Sequence, residues 1–162
     1  MDEELLRKLR ESSGLRLDRE GRFFHQGTPI EHARTVATLH AGLHRAEDGR
    51  WATRIGRDWA YVDVEDAGRF VRRIETAEDR LRAQLATGEW VEIDPATLSA
   101  GAEDALYVRI PDGERARLTR AAQLSLLPYL EQSRDGFELR LGARAFPIGR
   151  DEGREQVRPK NM

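Results

Sequence analysis

The stretch from Gly49 to Asp66, GRWATRIGRDWAYVDVED, constrains the fold of this chain more than any other. Polar and apolar residues alternate on both sides of a Gly-Arg-Asp turn at 56–58, and each arm carries a tryptophan. This alternation is typical of β-strands, and a turn between two such runs indicates a β-hairpin. The apolar positions before it follow a helical period, which predicts a helix from Thr28, as N-cap, to about Ala46. We therefore expect a helix followed by a hairpin.

The same order of elements returns near the C-terminus. Aligning Asp48-Gly49 with Asp135-Gly136 superimposes similar residues, although the second copy is one residue shorter before its central glycine. The matched pairs are Leu39 with Leu126, Leu43 with Leu130, Gly56 with Gly142 and Val62 with Ile148. We interpret this as an internal repeat. The alternative is coincidence, because Asp-Gly turns and helix-turn-hairpin arrangements are common.

These patterns predict an α+β fold of two related helix-plus-hairpin units with mainly antiparallel strands. The segment 94–104, DPATLSAGAED, is the longest loop-like stretch and the predicted linker. The predicted organisation is an N-terminal helix at 1–14, a first unit at 15–94, a second at 95–149 and a disordered tail at 150–162. In the N-terminal helix, Leu5, Leu6 and Leu9 form a narrow apolar stripe. A groove between two related units is where we expect a ligand.

Composition narrows the classes of function. The 162 residues include no cysteine, which excludes disulfides, thiolate catalysis and cysteine-ligated metals. A formal net charge of −2 argues against bulk nucleic-acid or membrane binding. No apolar run approaches the roughly 20 residues that cross a bilayer, so we expect a cytoplasmic protein. Among 27 basic residues only Lys8 and Lys160 are lysines. This preference for arginine over lysine fits either phosphate recognition by guanidinium groups or a GC-rich coding sequence. We favour the coding-sequence explanation.

Several short motifs occur in a fixed order along the chain. They are LDREGRF at 17–23, GTPI at 27–30, VDVEDA at 62–67, YVR at 107–109 and ARLTR at 116–120. In this order they resemble the bacterial domain-of-unknown-function family 1285, over about residues 15–149. The chain departs from the family pattern at Phe23, where the family has tryptophan, at Arg57-Asp58, where it has proline and glutamate, and at Gly68-Arg69, where it has proline.

The resemblance carries its own expectations. It implies an α+β fold with repeated motifs and a C-terminal half like a pleckstrin-homology domain, as a partly closed barrel. It implies no known catalysis. It further implies a binding site between the halves for a nucleotide or nucleic-acid-type ligand, with a role in signalling.

Two histidines have a spacing that is typical of a zinc site. His40 and His44 are four residues apart in the predicted helix, the spacing that binds zinc in metallopeptidases. The glutamate that catalysis needs after the first histidine is Ala41 here, and no third ligand is identifiable. A metal-assisted hydrolase is therefore an alternative hypothesis, and our prediction includes neither a metal nor a cofactor.

Three acidic residues lie at the C-terminal end of the hairpin segment: Asp63, Glu65 and Asp66. Paired carboxylates serve acid-base catalysis or bind Mg²⁺, but at a strand end they more often form ion pairs with arginines. The chain has neither a nucleophile elbow nor a glycine-rich phosphate loop. No enzyme is predicted.

The remaining candidate for a functional site is a ligand-binding face on the predicted hairpin. Trp59 and Tyr61 share one face of a strand, and Arg54 and Arg57 lie beside the turn, so the four side chains could stack a base and hold a phosphate. Core or inter-unit packing of the two rings is the alternative. The predicted ligand-binding residues are Arg54, Arg57, Trp59, Tyr61, Glu65 and Asp66.

Our preferred hypothesis is a non-catalytic binding or regulatory module for a small molecule or nucleotide-type ligand. Besides the hydrolase, a protein-interaction adaptor is the other alternative. Such an adaptor would pair through exposed strand edges, or form a homodimer through the leucines of the N-terminal helix.

Overall fold

The computed structural model describes residue 3 and residues 10–151. The chain divides into two compact units, Met1–Gly68 and Arg69–Met162, here called unit 1 and unit 2. The leucine stripe of the predicted N-terminal helix and most of the predicted tail lie outside the described residues. Within those residues, no helix has the length and apolar character needed to cross a membrane.

Unit 1 combines a helix at Ala33–Gly42 with two small sheets, and Arg10 and Glu11 are helical as well. Its elements are β1 Leu15–Leu17, β2 Phe23–His25, β3 Thr28–Pro29, α1 Ala33–Gly42, β4 Leu43–Arg45, β5 Trp51–Ile55, β6 Asp58–Tyr61 and β7 Asp63–Val64. The strand orders are β3-β2-β1-β7 and β4-β5-β6. All pairs are antiparallel except β1 with β7.

Helix α1 is shorter at both ends than the prediction. Thr28 and Pro29 form β3 against β2, and the N-cap is His32, whose Nδ1 accepts a hydrogen bond from the Thr35 N–H. The predicted extension to Ala46 is wrong, because the chain leaves the helix at Gly42 and enters β4. A Cβ at Gly42 would collide with the backbone oxygen of Arg54, so the helix can approach β5 only with glycine there.

The core of unit 1 lies between α1 and the hairpin. Leu39, Leu43 and Trp51 are buried, and Thr53 is fully buried among them. The Thr53 hydroxyl donates a 3.0 Å hydrogen bond to the backbone carbonyl of Leu39, which ties β5 to the helix. The hydroxyl therefore satisfies a helix carbonyl in the interior of the unit.

Unit 2 is built mainly of strands. Its elements are β8 Arg69–Ala77, β9 Arg80–Leu85, β10 Trp90–Ile93, β11 Ser99–Ala100, β12 Leu106–Arg109, β13 Arg115–Leu118, α2 Arg120–Leu126, β14 Leu130–Ser133, β15 Gly136–Leu141, β16 Arg144–Pro147 and β17 Gly149–Arg150, with short 3-10 helices at Pro95–Thr97, Ala102–Asp104 and Leu127–Tyr129. One sheet has seven strands in the order β10-β9-β8-β13-β12-β11-β17, and the other is β14-β15-β16.

The boundary between the units differs from the predicted one at 94–95. Strands β8 and β9, which the sequence assigned to the first unit, belong to the seven-stranded sheet because β8 pairs in parallel with β13. The predicted linker at 94–104 contains β11, which pairs with β12 and β17, so it is part of this sheet. The described strands of unit 2 form open sheets rather than a closed barrel, and the pleckstrin-homology comparison stays a prediction.

The helix-plus-hairpin pattern occurs once in each unit, with matching register. Helix α1 precedes β4-β5-β6, and helix α2 precedes β14-β15-β16. The second copy is one residue shorter than the first, and this difference lies in the first turn of the hairpin. Three residues separate Ala46 from Arg50, whereas two separate Ser133 from Gly136. The second turns match, since Gly56 and Gly142 have φ values of 61° and 58°. The predicted α+β class with mainly antiparallel strands is confirmed.

Candidate functional site

The predicted binding face lies on the β5–β6 hairpin. Arg54 pairs across the strands with Trp59, so the two side chains lie on the same side of the sheet. The ring of Trp59 meets that of Tyr61 edge-on, with 5.0 Å between centroids and 82° between planes. We call this surface, formed by Arg54, Arg57, Trp59 and Tyr61, the hairpin face.

Arginines already cover both rings of the hairpin face. The guanidinium of Arg10 lies 4.3 Å from the centroid of the Trp59 ring, and that of Arg50 lies 3.5 Å from the centroid of Tyr61. A base that stacked on either covered face would have to displace a cation–π contact, which contributes about 0.5–1 kcal/mol at an exposed site. The arrangement is therefore less suited to stacking than the sequence suggested.

Tyr61 is also held at its hydroxyl, which donates a 2.7 Å hydrogen bond to Oδ2 of Asp48. Arg50 donates to the same carboxylate through Nε at 2.9 Å and through its backbone N–H at 3.0 Å. The bond from Tyr61, followed by those from Arg50, holds the pKa of Asp48 below its ordinary value. The same Tyr61–Asp48 bond raises the pKa of Tyr61. Tyr61 thus remains protonated and fixed.

Sequence reasoning missed Arg10, Asp48 and Arg50 as parts of this surface. Asp48 and Arg50 alternate around the first turn of the hairpin, which was a usable local signal. Arg10 lies far from Trp59 in sequence, and no periodicity joins them.

Arg54 and Arg57, like Arg34 on α1, differ from the other described arginines of the unit. Arg54 and Arg57 are both exposed, and within residues 10–151 neither guanidinium forms an ion pair or a hydrogen bond. The remaining described arginines of unit 1 contact carboxylates, aromatic rings or a carbonyl, with the exception of Arg34 on α1. Those engaged arginines are Arg10, Arg16, Arg19, Arg22, Arg45 and Arg50.

The internal repeat provides a direct comparison for Arg54. Its counterpart in unit 2 is Arg140, which pairs with Ala145 across the strands as Arg54 pairs with Trp59. Arg140 binds Glu131 at 3.0 Å and Glu138 at 3.1 Å. Its pKa is raised, first by the hydrogen bond to Glu138. Among the described residues, the hairpin face therefore keeps two arginines without an ion pair, whereas the equivalent arginine of unit 2 is paired.

Glu65, one of the predicted ligand-binding carboxylates, is engaged by arginines outside the hairpin face. Glu65 accepts from Nε of Arg19 at 2.9 Å and from the Arg19 N–H at 3.2 Å, and it lies 3.5 Å from Nη1 of Arg16. The expectation of an ion-paired strand end fits this residue, although its partners come from β1 and the following turn. Asp66 is half-buried in the bend after β7, and Asp63 is exposed.

The two histidines do not share a helical face. His40 is buried in the last turn of α1, where its ring meets Phe23 edge-on at 4.7 Å, whereas His44 lies in β4. A ring nitrogen of His44, Nδ1, is 2.8 Å from the carbonyl oxygen of Gly42. The premise of the metal hypothesis is wrong because the helix ends before His44. Among the described residues, no group of three or more histidine, aspartate or glutamate side chains could hold a metal ion.

Comparison with known proteins places the fold. No family model and no curated protein matches the sequence. A DUF1285 family protein from Silicibacter pomeroyi DSS-3 matches with a TM-score of 0.65 and 23% identity, over 86% of this chain and 81% of that one. Another, from Shewanella baltica OS155, matches with a TM-score of 0.55 and 19% identity, over 72% and 92%. The chain therefore has the fold of two proteins of the domain-of-unknown-function family 1285, which confirms the resemblance read from its motifs.

Proposed function

We propose that this protein is a non-catalytic binding module and that unit 1 binds an anionic ligand at the hairpin face. The observation that carries the proposal is the pair of exposed arginines, Arg54 and Arg57, which no carboxylate of the described residues compensates. In the repeated unit the equivalent Arg140 is compensated twice. Guanidinium groups hold carboxylates and phosphates through paired hydrogen bonds, so an anion fits this surface.

The geometry favours recognition of charge over stacking of a base. Arg10 and Arg50 cover the faces of Trp59 and Tyr61, so the rings contribute rigidity and apolar area rather than an open stacking platform. A ligand would contact Arg54 and Arg57 and the uncovered edge of the Trp59 ring. The nucleotide-type ligand, the signalling role and the groove between the units, all expected from the resemblance, stay predictions.

A titration with small anions tests the proposal. The probes are tripolyphosphate, ATP and a short glutamate-rich peptide at low ionic strength, with binding followed by calorimetry. We expect at least one probe to bind the native chain, and the double variant Arg54→Gln, Arg57→Gln to bind it about tenfold more weakly or worse, because two charge-assisted contacts are lost. Added salt should weaken binding to the native chain, since the site is exposed.

The matched control is Arg34→Gln. It removes an exposed, uncompensated guanidinium from α1 of the same unit and leaves the hairpin face intact. Its affinity should stay within about twofold of the native chain, because a remote surface charge is screened by solvent and salt. Equal weakening in the control and the double variant would attribute binding to net charge alone. That result, or no binding of any probe, contradicts the proposal.

A further inference from the structure

Strand β6 is an edge strand with an open side. In the order β4-β5-β6 it pairs only with β5. The hydrogen bond from the Val62 N–H to the Trp51 carbonyl, at 3.0 Å, fixes which residues of β6 bond inward. Bonding alternates along an antiparallel pair, so Ala60 bonds toward β5 while the backbone groups of Trp59 and Tyr61 point away from it.

One outward group of this edge is already satisfied. The carbonyl oxygen of Tyr61 accepts a 2.6 Å hydrogen bond from the Ser13 hydroxyl. The N–H and C=O of Trp59 have no hydrogen-bond partner within residues 10–151. The open part of the edge is therefore centred on Trp59, next to the turn that carries Arg57.

Unit 2 has a proline at the equivalent edge. Strand β16 is the counterpart of β6, and the bond from the Ile148 N–H to the Phe137 carbonyl, at 3.0 Å, fixes its register in the same way. Its outward-pointing residues are Ala145 and Pro147, in the places of Trp59 and Tyr61. Proline has no N–H, and edge prolines are a common device against unwanted strand pairing. Unit 2 thus has an ion-paired arginine at the position of Arg54 and an edge proline at the position of Tyr61.

We propose that the ligand of the hairpin face is an extended acidic peptide of a partner protein, which adds to β6 as a further strand. Its backbone would bond the N–H and C=O of Trp59, and its carboxylates would bind Arg54 and Arg57. This inference rests on the proposed function, because it names the ligand class of the same site.

Charge and distance agree on where the acidic side chains would lie. An added strand runs about 4.8 Å from β6 and about 10 Å from β5, so Arg57 in the turn is nearer than Arg54, which reaches across Trp59. The exposed carboxylates near the edge are Asp58, the first residue of β6, and Asp63, beyond Tyr61. They repel acidic residues directly opposite those two positions, so the acidic side chains of the peptide would lie beside Arg54 and Arg57 instead.

The test uses a fluorescent eight-residue peptide that alternates glutamate and valine, with anisotropy as the readout. Trp59→Ala and Trp59→Pro both remove the indole, and only proline also removes the outward N–H. We expect Trp59→Pro to bind about tenfold more weakly than Trp59→Ala, because a strand-pairing bond is lost. The native chain should bind a version of the peptide that is N-methylated on alternate residues about tenfold more weakly than the parent.

The methylated peptide keeps the test decisive if Trp59→Pro does not fold, which circular dichroism will reveal. Peptide binding that requires Arg54 and Arg57 but is unchanged by N-methylation of the peptide and by Trp59→Pro would overturn strand addition and leave the proposed function intact. Binding of ATP or tripolyphosphate but not of the peptide would do the same. If none of these anions binds, both proposals fail. A homodimer in light scattering that Trp59→Pro abolishes, without peptide binding, would assign the edge to a second copy and overturn the inference.

Discussion

Thr53 shows how much a single buried hydroxyl can contribute. Its side chain is fully buried and donates to the Leu39 carbonyl near the end of α1, where helix carbonyls lack intrahelical partners. Replacing Thr53 by valine keeps the shape but leaves that carbonyl unpaired in the interior. We expect Thr53→Val to lower the free energy of unfolding by about 1–3 kcal/mol, measured by urea denaturation.

Thr38→Val is the matched control for that change. The Thr38 hydroxyl also donates to a helix carbonyl, that of Arg34, at 2.9 Å, but the pair is exposed. Water replaces the lost bond there, so the change should stay within about 0.5 kcal/mol. Similar losses of unfolding free energy in the two variants would show that burial does not increase the contribution of the Thr53 hydrogen bond to stability.

At the scale of residues, the sequence predicted which side chains of a strand share a face, but it missed contacts with residues outside the strand. Period-two alternation correctly grouped Trp59 with Tyr61. Arg54, predicted beside the turn, pairs across the strands with Trp59. The contact of Arg10 with Trp59 could not be predicted in this way, because a cation–π contact between segments far apart in sequence has no local pattern. Arg50 lies in the same hairpin as Tyr61, so its contact had a local signal that was missed. Those two contacts change the function expected of the surface, from stacking to anion binding.

At the scale of elements, an ion pair fastens β17 to the seven-stranded sheet of unit 2. Arg115 on β13 and Asp151, which follows β17, are both nearly buried, with Nη1 and Oδ2 2.7 Å apart. The Asp151 N–H also donates to the Ala100 carbonyl at 2.8 Å. Asp151→Asn would leave the Arg115 charge incompletely compensated. We expect it to lower the free energy of unfolding by about 2–4 kcal/mol, somewhat less than full loss of a buried pair, because Arg115 also lies over Tyr107.

Urea denaturation and amide exchange of Gly149 and Arg150 would measure this effect. Glu75→Gln is the control, since the Glu75–Arg82 pair on the same sheet is exposed and 3.8 Å apart. Surface pairs contribute about 0–1 kcal/mol, so this variant should be nearly neutral. Faster exchange in both variants, or in neither, would contradict a fastening role for the buried pair.

The boundaries of the elements show why local sequence patterns are not sufficient to predict the fold. The apolar period continues from Leu39 through Leu43, so the sequence extended the helix past its real end. Close approach of Gly42 to Arg54 ends it, and that constraint comes from tertiary packing rather than propensity. The strand runs at 69–85 were recognised correctly, but β8 pairs with β13, more than forty residues onward, and periodicity does not predict which strands pair.

At the scale of the whole molecule, the division between the units can be tested with fragments. The sequence predicted a second unit that begins at residue 95, whereas contacts divide the chain between Gly68 and Arg69. The core of unit 2 includes Val71 on β8 and Leu81 on β9, and β8 lies between β9 and β13 in the sheet. A fragment that starts at 95 would lack these side chains and would expose β13 as a bare edge.

We therefore expect residues 69–162 to unfold cooperatively in urea with dispersed amide resonances, and residues 95–162 to show neither property. The physical reason is burial: each large core side chain that is removed costs about 1.5–3 kcal/mol, and a domain has only about 5–15 kcal/mol of net stability. The control is residues 1–94, which carry β8 and β9 without β13 and should gain no stability over residues 1–68. Cooperative folding of residues 95–162 would instead support the boundary that the sequence suggested, and would make β8 and β9 part of the first unit.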